Sequence, residues 1–285
     1  MAKQRAIRRP PILKLLFFSL FTGVFIPAHI FIGAFISLSY AADSPKRQAA
    51  GNDLVSVVRA VKPGVVAVGT HYFNDVPKTR FYGTGFVVGD GRQVVTNEHI
   101  LAQVQENRAL NRLRIFHPEI HSKGIEATVL ARDETHDLAL LAIQGTRLPP
   151  LSLGNASTVQ EGQAVAFTGY PIGLVLGLNP TTHAGIISAI SPILIPSPTA
   201  RAIQKDLIPY LRNPFNIFQI DATAYPGNSG SPLYWSSTGE VIGVINMVFV
   251  KGKKEHILKE PTGITYAIPI EHVKTLMKEA ATQKP

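Results

Sequence analysis

The sequence predicts an all-β protein of antiparallel strands, closed into barrels or stacked as a sandwich, with a short helix near each end of the folded part. Three observations predict it. Short β-branched or alternating apolar runs recur along the chain between turn residues. The chain carries 23 Gly and 21 Pro, which suits many turns and few helices. Apolar residues make up 45% of its 285 positions, enough for a sizeable core. No repeat at solenoid spacing and no low-complexity run competes with that reading.

The elements follow in chain order. Lys3, Arg5, Arg8, Arg9 and Lys14 open the chain without an acid, and residues 15–41 hold no charge. Residues 1–41 are therefore expected to be a secretory signal or an N-terminal membrane anchor. Ser39-Tyr40-Ala41 offers a small-x-small cleavage pattern, while the uncharged stretch is long enough to span a bilayer. Either way the basic end stays in the cytoplasm and the rest is exported. Residues 42–51 read as a polar linker. Leu54, Val57, Val58 and Val61 fall at helical spacing behind Asn52 or Asp53 as cap, and Lys62-Pro63-Gly64 stops that helix.

Strands are expected over Val65–Val68, then Tyr82–Val88 and Gln93–Thr96 around the hairpin turn Asp90-Gly91. Further runs are Leu113–Phe116, Ala127–Leu130, Leu138–Ile143, Ala164–Thr168, Gly185–Ile190, Ile217–Ile220, Pro232–Trp235, Val241–Val250 and Ile264–Ile268. The Pro-rich stretch 145–155 is a natural seam between two halves, about 64–147 and 156–270. Residues 192–214 carry five prolines and a helical turn around Ala202–Leu207, and read as an insertion near the site. A second insertion, 250–262, includes the loop cations Lys251, Lys253 and Lys254. Val273, Leu276, Met277 and Ala280 describe an amphipathic closing helix, and 281–285 is a tail.

Composition excludes some functions. The net charge is +9, but the five leading cations belong to targeting, and without them 23 Lys and Arg exceed 19 acids by four. A nucleic-acid partner is not expected. The chain has no cysteine, hence neither disulfides nor thiolate chemistry. His117 and His121 suggest a metal pair, but Pro118 breaks the helical face such a pair needs. No metal or cofactor is expected.

Chemistry concentrates in Gly227-Asn228-Ser229-Gly230-Ser231-Pro232. Glycine on both sides of a serine allows a sharp turn that exposes the hydroxyl and aims N–H groups at one point. The serine needs a base and an acid that orients the base. Among nine histidines, His99 in Thr96-Asn97-Glu98-His99 stands where the hairpin's second strand ends, a rigid platform facing a cleft. His136 is expected to face the other way on a strand. Asp137, opening the apolar run Leu138–Leu141, suits a partly buried acid against imidazole Nδ1, whereas Asp133 reads as a turn residue and Asp221 as a brace for the serine loop. The order His99, Asp137, Ser229 disagrees with the Ser, acid, His order of α/β-hydrolases.

Tyr82-Gly83-Thr84-Gly85-Phe86, Thr96–His99, His136–Leu141, Asp221-Ala222 with Gly227–Gly230, Gly239–Asn246 and Gly263–Pro269 together resemble the protease domain of the HtrA/Deg family of trypsin-fold serine proteases. Gly169–Leu174 and Gly185–Ala189 resemble it too, so the likeness spans about residues 52–280. The resemblance implies two antiparallel six-stranded β-barrels of chymotrypsin-like fold with the site between them. It implies His99 as general base, Asp137 as its orienter, Ser229 as nucleophile, and backbone N–H groups of Gly227 and Ser229, with Asn228, as oxyanion donors. The pocket of that fold falls on Thr223, Ala224, Val244, Ile245 and Asn246. These carry no charge, so a small or medium apolar P1 residue such as Val, Ala or Leu is expected. Polypeptide substrates, a homo-oligomer (a trimer by family analogy), a periplasmic or inner-membrane-anchored location and a role in protein quality control are implied as well.

Two departures stand out. Ser231 occupies a place where the family usually has glycine, and a positive φ there would strain it. The string Gly-Asn-Ser-Gly-Ser-Pro also resembles V8-like glutamyl endopeptidases, but those carry a histidine in the pocket strand where this chain has Ile245-Asn246. The chain ends at Pro285, soon after Ala267-Ile268-Pro269, so the PDZ domain common in the family is not expected. The rival from another class is a catalytically silent, protease-like binding module or chaperone in the envelope.

Overall fold

The computed structural model describes residues 53–106, 112–120, 123–171, 178–193, 214–246 and 264–282, all within one compact unit, Gln48–Pro285. The expected leader, the linker, nearly all of insertion 192–214 and the 250–262 stretch lie outside the described residues. Among the described residues no helix is long and apolar enough to cross a membrane.

Helix α1 (Leu54–Val61) buries Val57 and Val61, and a 3-10 turn over Lys62–Gly64 ends it as Pro63 and Gly64 require. Six strands follow: β1 (Val65–His71), β2 (Thr79–Val88), β3 (Gln93–Thr96), β4 (Leu113–Phe116), β5 (Ile125–Asp133) and β6 (Leu138–Ile143). They close a barrel in the order β1-β2-β3-β6-β5-β4. Six more repeat the plan: β7 (Ala164–Gly169), β8 (Thr181–Pro192), β9 (Asn216–Asp221), β10 (Pro232–Trp235), β11 (Val241–Asn246) and β12 (Ile264–Pro269). Their order, β7-β8-β9-β12-β11-β10, is the first barrel's order displaced by six strands. The chymotrypsin-like two-barrel architecture is thus present.

Alternation explains how one strand serves two cores. Val66 and Val68 point into the first barrel with Val87, Val94, Ile115 and Leu141. Val65 and Ala67 point outward, yet stay buried in a second cluster with Tyr170, Tyr234, Val244 and Ile268 of the other barrel. The second barrel fills with Phe167, Ile187, Phe218, Leu233, Ile242 and Ile245. In β11 strict alternation breaks where pairing with β10 slips between Leu233 and Tyr234, which lets Val241 and Val244 share the inter-barrel face.

Two features differ from the sequence expectation. Glu98–Glu106 forms a helix, α2, directly after β3, so His99 stands in a first helical turn and not at a bare strand end. Strands β1, β2, β5 and β8 run longer than expected, and in β1, β5 and β8 register shifts after Val68, Val129 and Ile187 let pairing continue past a bulge. The expected strand Val241–Val250 is described as far as Asn246.

Helix α3 (Ile270–Thr282) closes the chain and buries Ile270, Val273 and Leu276. At its docking point His272 stacks on His136, ring centroids 3.8 Å apart and planes at 22°, with Phe215 edge-on to both. Burial first, then the facing His136, brings His272 down to about 4, against the opposite pull of Asp133 and Glu271. The unfolded chain takes up that proton near 6.5, before the folded chain does. The stability that comes from the neutral ring is therefore complete above about pH 6.5 and is lost as pH falls toward 4. The urea midpoint is expected to fall through that window, and to fall less in His272→Gln. Equal pH slopes in the two proteins would contradict this.

Candidate active site

Asp137 organises one half of the site. It is 4% exposed, opens β6 from a left-handed backbone position (φ 50), and is the sole described non-glycine residue there. Short polar side chains tolerate that conformation best. Its carbonyl accepts from Asn97 Nδ2 at 2.9 Å and from Glu98 N at 3.2 Å. Its Oδ1 accepts from the His99 main-chain N–H at 2.7 Å, which caps the N-terminus of α2 from another segment. Its Oδ2 lies 2.7 Å from His99 Nδ1. An ionised carboxylate only accepts, so the imidazole proton sits on Nδ1 and Nε2 keeps a free lone pair.

Asn246 completes this half. Its Nδ2 donates to Asp137 Oδ2 at 2.6 Å across the barrel boundary, and the residue is 1% exposed. The sequence reading places it in the substrate pocket; the structure spends its amide on the acid. A polar residue ending the otherwise apolar run of β11 was the available signal. Nearby, burial foremost and then the Asp137 charge raise Glu98 above the ordinary carboxylate range, while Arg132 at 3.3 Å pulls it back.

The serine turn supplies the other half. Gly227 and Gly230 take positive φ, 101° and 86°, on either side of Asn228 and Ser229. Ser231 is not among the positive-φ residues, so serine there carries no backbone strain. The N–H of Asn228 is committed to Tyr225 O, that of Gly230 to Ile245 O, and that of Ser231 to Asn228 O. Among the described residues the N–H groups of Gly227 and Ser229 make no hydrogen bond. The expectation that Asn228 joins the donors fails on this geometry, since its N–H is already used.

Gly83 lets the two halves meet. A Cβ there would lie 2.3 Å from Ile100 Cδ1, next to His99, and 3.0 Å from the Ser229 carbonyl oxygen. Among the described residues no hydrogen bond joins the Ser229 hydroxyl to His99. Apo sites often hold this contact loosely until substrate binds.

The other expected residues fall as follows. Thr223 and Ala224 are half-buried beside the serine turn. Val244 and Ile245 are fully buried, one between the barrels and one inside the second. Asp133 ends β5 and is not itself in a turn. Its carboxylate holds the turn that follows, accepting from His136 N at 3.0 Å and pairing with His136 Nδ1 at 2.6 Å. His136 thus sits in that turn, not on a strand. Asp221 ends β9, exposed. His121 lies outside the described residues, which hold no cluster of three or more metal-ligating side chains.

Residues 83–244 match the family described as Trypsin-like peptidase domain. "Serine protease HTRA2, mitochondrial" of Drosophila pseudoobscura pseudoobscura is 34% identical over 213 residues, which is 75% of this chain and 42% of that protein. The protein of the same name from Drosophila willistoni is 33% identical over the same shares. The chain belongs to the trypsin-like peptidases and is HtrA-like. It spans well under half the length of these family relatives. Solved family members share the fold: the HtrA-type protease AlgW with decapeptide superposes at TM-score 0.59, 20% identity, over 81% of this chain and 68% of that one. AlgW with tripeptide superposes at 0.56, 23% identity, over 79% and 62%.

Proposed function

We propose that the chain is a serine endopeptidase that cleaves exported polypeptides through Ser229, His99 and Asp137. The observation that carries the reading is the 2.7 Å contact of Asp137 Oδ2 with His99 Nδ1, which favours the proton on Nδ1 and leaves Nε2 as the base for the glycine-flanked serine. In the reaction Ser229 Oγ attacks the peptide carbonyl carbon and passes its proton to His99 Nε2. Asp137 steadies the imidazolium that forms. The carbonyl oxygen takes up the electron pair as an oxyanion facing the N–H groups of Gly227 and Ser229. His99 then protonates the leaving amine, and water, deprotonated by the same nitrogen, releases the acyl group and frees Ser229.

Thr223 and Ala224, uncharged and half-buried, favour a small apolar P1 residue. The decapeptide and tripeptide carried by the AlgW fold neighbours agree with a polypeptide substrate. The leader, residues 1–41, would export the protease domain, 52–280, as a cleaved signal or as an anchor, to act in envelope protein quality control, as a homo-oligomer such as a trimer.

Peptidyl diphenylphosphonates bearing Val, Ala or Leu at P1 are expected to label the folded protein, with the adduct mapped to Ser229 by peptide mass spectrometry. No adduct in folded protein, or an adduct on another residue, refutes the mechanism. Faster labelling by Arg, Lys or Glu probes refutes the pocket assignment.

A further inference from the structure

Thr84 lies in β2 of the first barrel, fully buried, and belongs to a motif that the mechanism above leaves unused. It ties the serine turn of the second barrel at two points. Its main-chain N–H donates to Ser229 O at 2.9 Å. Its Oγ1 lies 2.7 Å from Gly227 O and 2.9 Å from Tyr170 N. Its own carbonyl accepts from Thr96 Oγ1 at 2.7 Å, which anchors Thr84 to the strand preceding α2.

The hydroxyl has one proton, and its direction is determined. The Tyr170 N–H can only donate, so it takes a lone pair, and the Thr84 proton goes to Gly227 O. That bond points the Gly227 carbonyl toward β2. Peptide planarity then sends the Asn228 N–H to the opposite side, where it meets Tyr225 O at 2.9 Å. Glycine would otherwise let this peptide turn over at little cost, since φ at Gly227 is already 101°. The bonds to Gly227 O and Ser229 O thus hold the peptides on either side of the Asn228–Ser229 peptide, whose N–H, that of Ser229, stays unengaged among the described residues.

We infer that Thr84 is a positioning residue that fixes the Gly227–Asn228 peptide from the opposite barrel, and through it the adjoining Asn228–Ser229 peptide that carries the Ser229 oxyanion donor. The inference rests on the serine-protease reading for its kinetic consequence, though not for its structural one. Losing an oxyanion donor lowers kcat by about 10²- to 10³-fold, and a misdirected donor loses part of that.

Thr84→Val keeps the branched shape and removes the hydroxyl; Thr84→Ser keeps the hydroxyl. In Thr84→Val, kcat is expected to fall about 10- to 100-fold with KM within about twofold, and in Thr84→Ser to stay within about threefold of the parent. Backbone amide exchange in 225–231 should quicken in Thr84→Val alone. A Thr84→Val protein with parental kcat and exchange overturns the inference, as does a Thr84→Ser protein as impaired as Thr84→Val, which would make the methyl group the important part. If folded parent protein takes no phosphonate label, the protease reading fails separately. Amide exchange then still decides the Thr84 contact, for or against.

Discussion

Asparagine in place of Asp137 is expected to lower kcat by about 10⁴-fold while the protein stays folded. The carboxylate serves three donors at once: the His99 main-chain N–H on one oxygen, and His99 Nδ1–H with Asn246 Nδ2 on the other. An amide has one oxygen and one NH₂. If its oxygen stays toward Asn246 and the ring, its NH₂ meets the His99 N–H, donor against donor. If it turns over, its NH₂ faces the Asn246 amide and His99 Nδ1. The ring can answer the second arrangement only by accepting at Nδ1, which moves its proton to Nε2. A histidine protonated on Nε2 cannot take the Ser229 proton. Both arrangements also remove the negative charge that steadies the imidazolium. Hydrolysis of a fluorogenic peptide, with thermal melting alongside, measures this. A loss below tenfold in a folded protein would show that Asp137 does not set the tautomer.

The His99–Asp137 pairing of the candidate site could be read from the chain, and the unread part has a common cause. His99, Asp137 and Ser229 each sit in a local string whose residue types suggest the proposed chemistry, and each barrel strand carries its own apolar run. What stayed hidden is pairing between segments far apart. Asn246 looks like a pocket residue on β11 until folding sets it 2.6 Å from Asp137. Thr84 and Gly227 are 143 positions apart, and nothing local tells a threonine hydroxyl which barrel it will serve. The commitment of the Asn228 N–H to Tyr225 is a property of turn dihedrals, which composition constrains only loosely. Helix α2 is the exception: Ile100, Leu101 and Val104 do mark a buried helical face after Asn97, a local signal that the strand-end reading of His99 passed over. His136 shows the reverse case. Its neighbour Asp137 suggests alternation along a strand, but Asp133 captures its backbone and ring and turns the chain there.

Gly230→Ala is expected to unfold the serine turn or the whole domain, whereas Gly162→Ala should cost only about 1 kcal/mol. Both glycines hold nearly the same left-handed φ, 86° and 85°. They differ in surroundings. A Cβ on Gly162 meets nothing within 4 Å, so its penalty is the conformational one alone. On Gly230 the same atom would lie 2.0 Å from the Thr84 carbonyl oxygen and 2.7 Å from Thr96 Oγ1. The nearer obstacle is backbone of a central barrel strand. It cannot rotate aside, so relief requires the serine turn to lift from β2. Lifting breaks the Thr84 N–H to Ser229 O bond, the Thr84 Oγ1 to Gly227 O bond and the Gly230 N–H to Ile245 O bond together, leaving buried groups unpaired. Added to the dihedral strain, the loss should reach about 4 kcal/mol or more, a large share of a domain's total stability. Urea denaturation of the two variants separates the contributions, because dihedral strain is common to both. Equal losses in the pair would mean that the serine turn does not rest on β2 as tightly as a 2.0 Å approach demands.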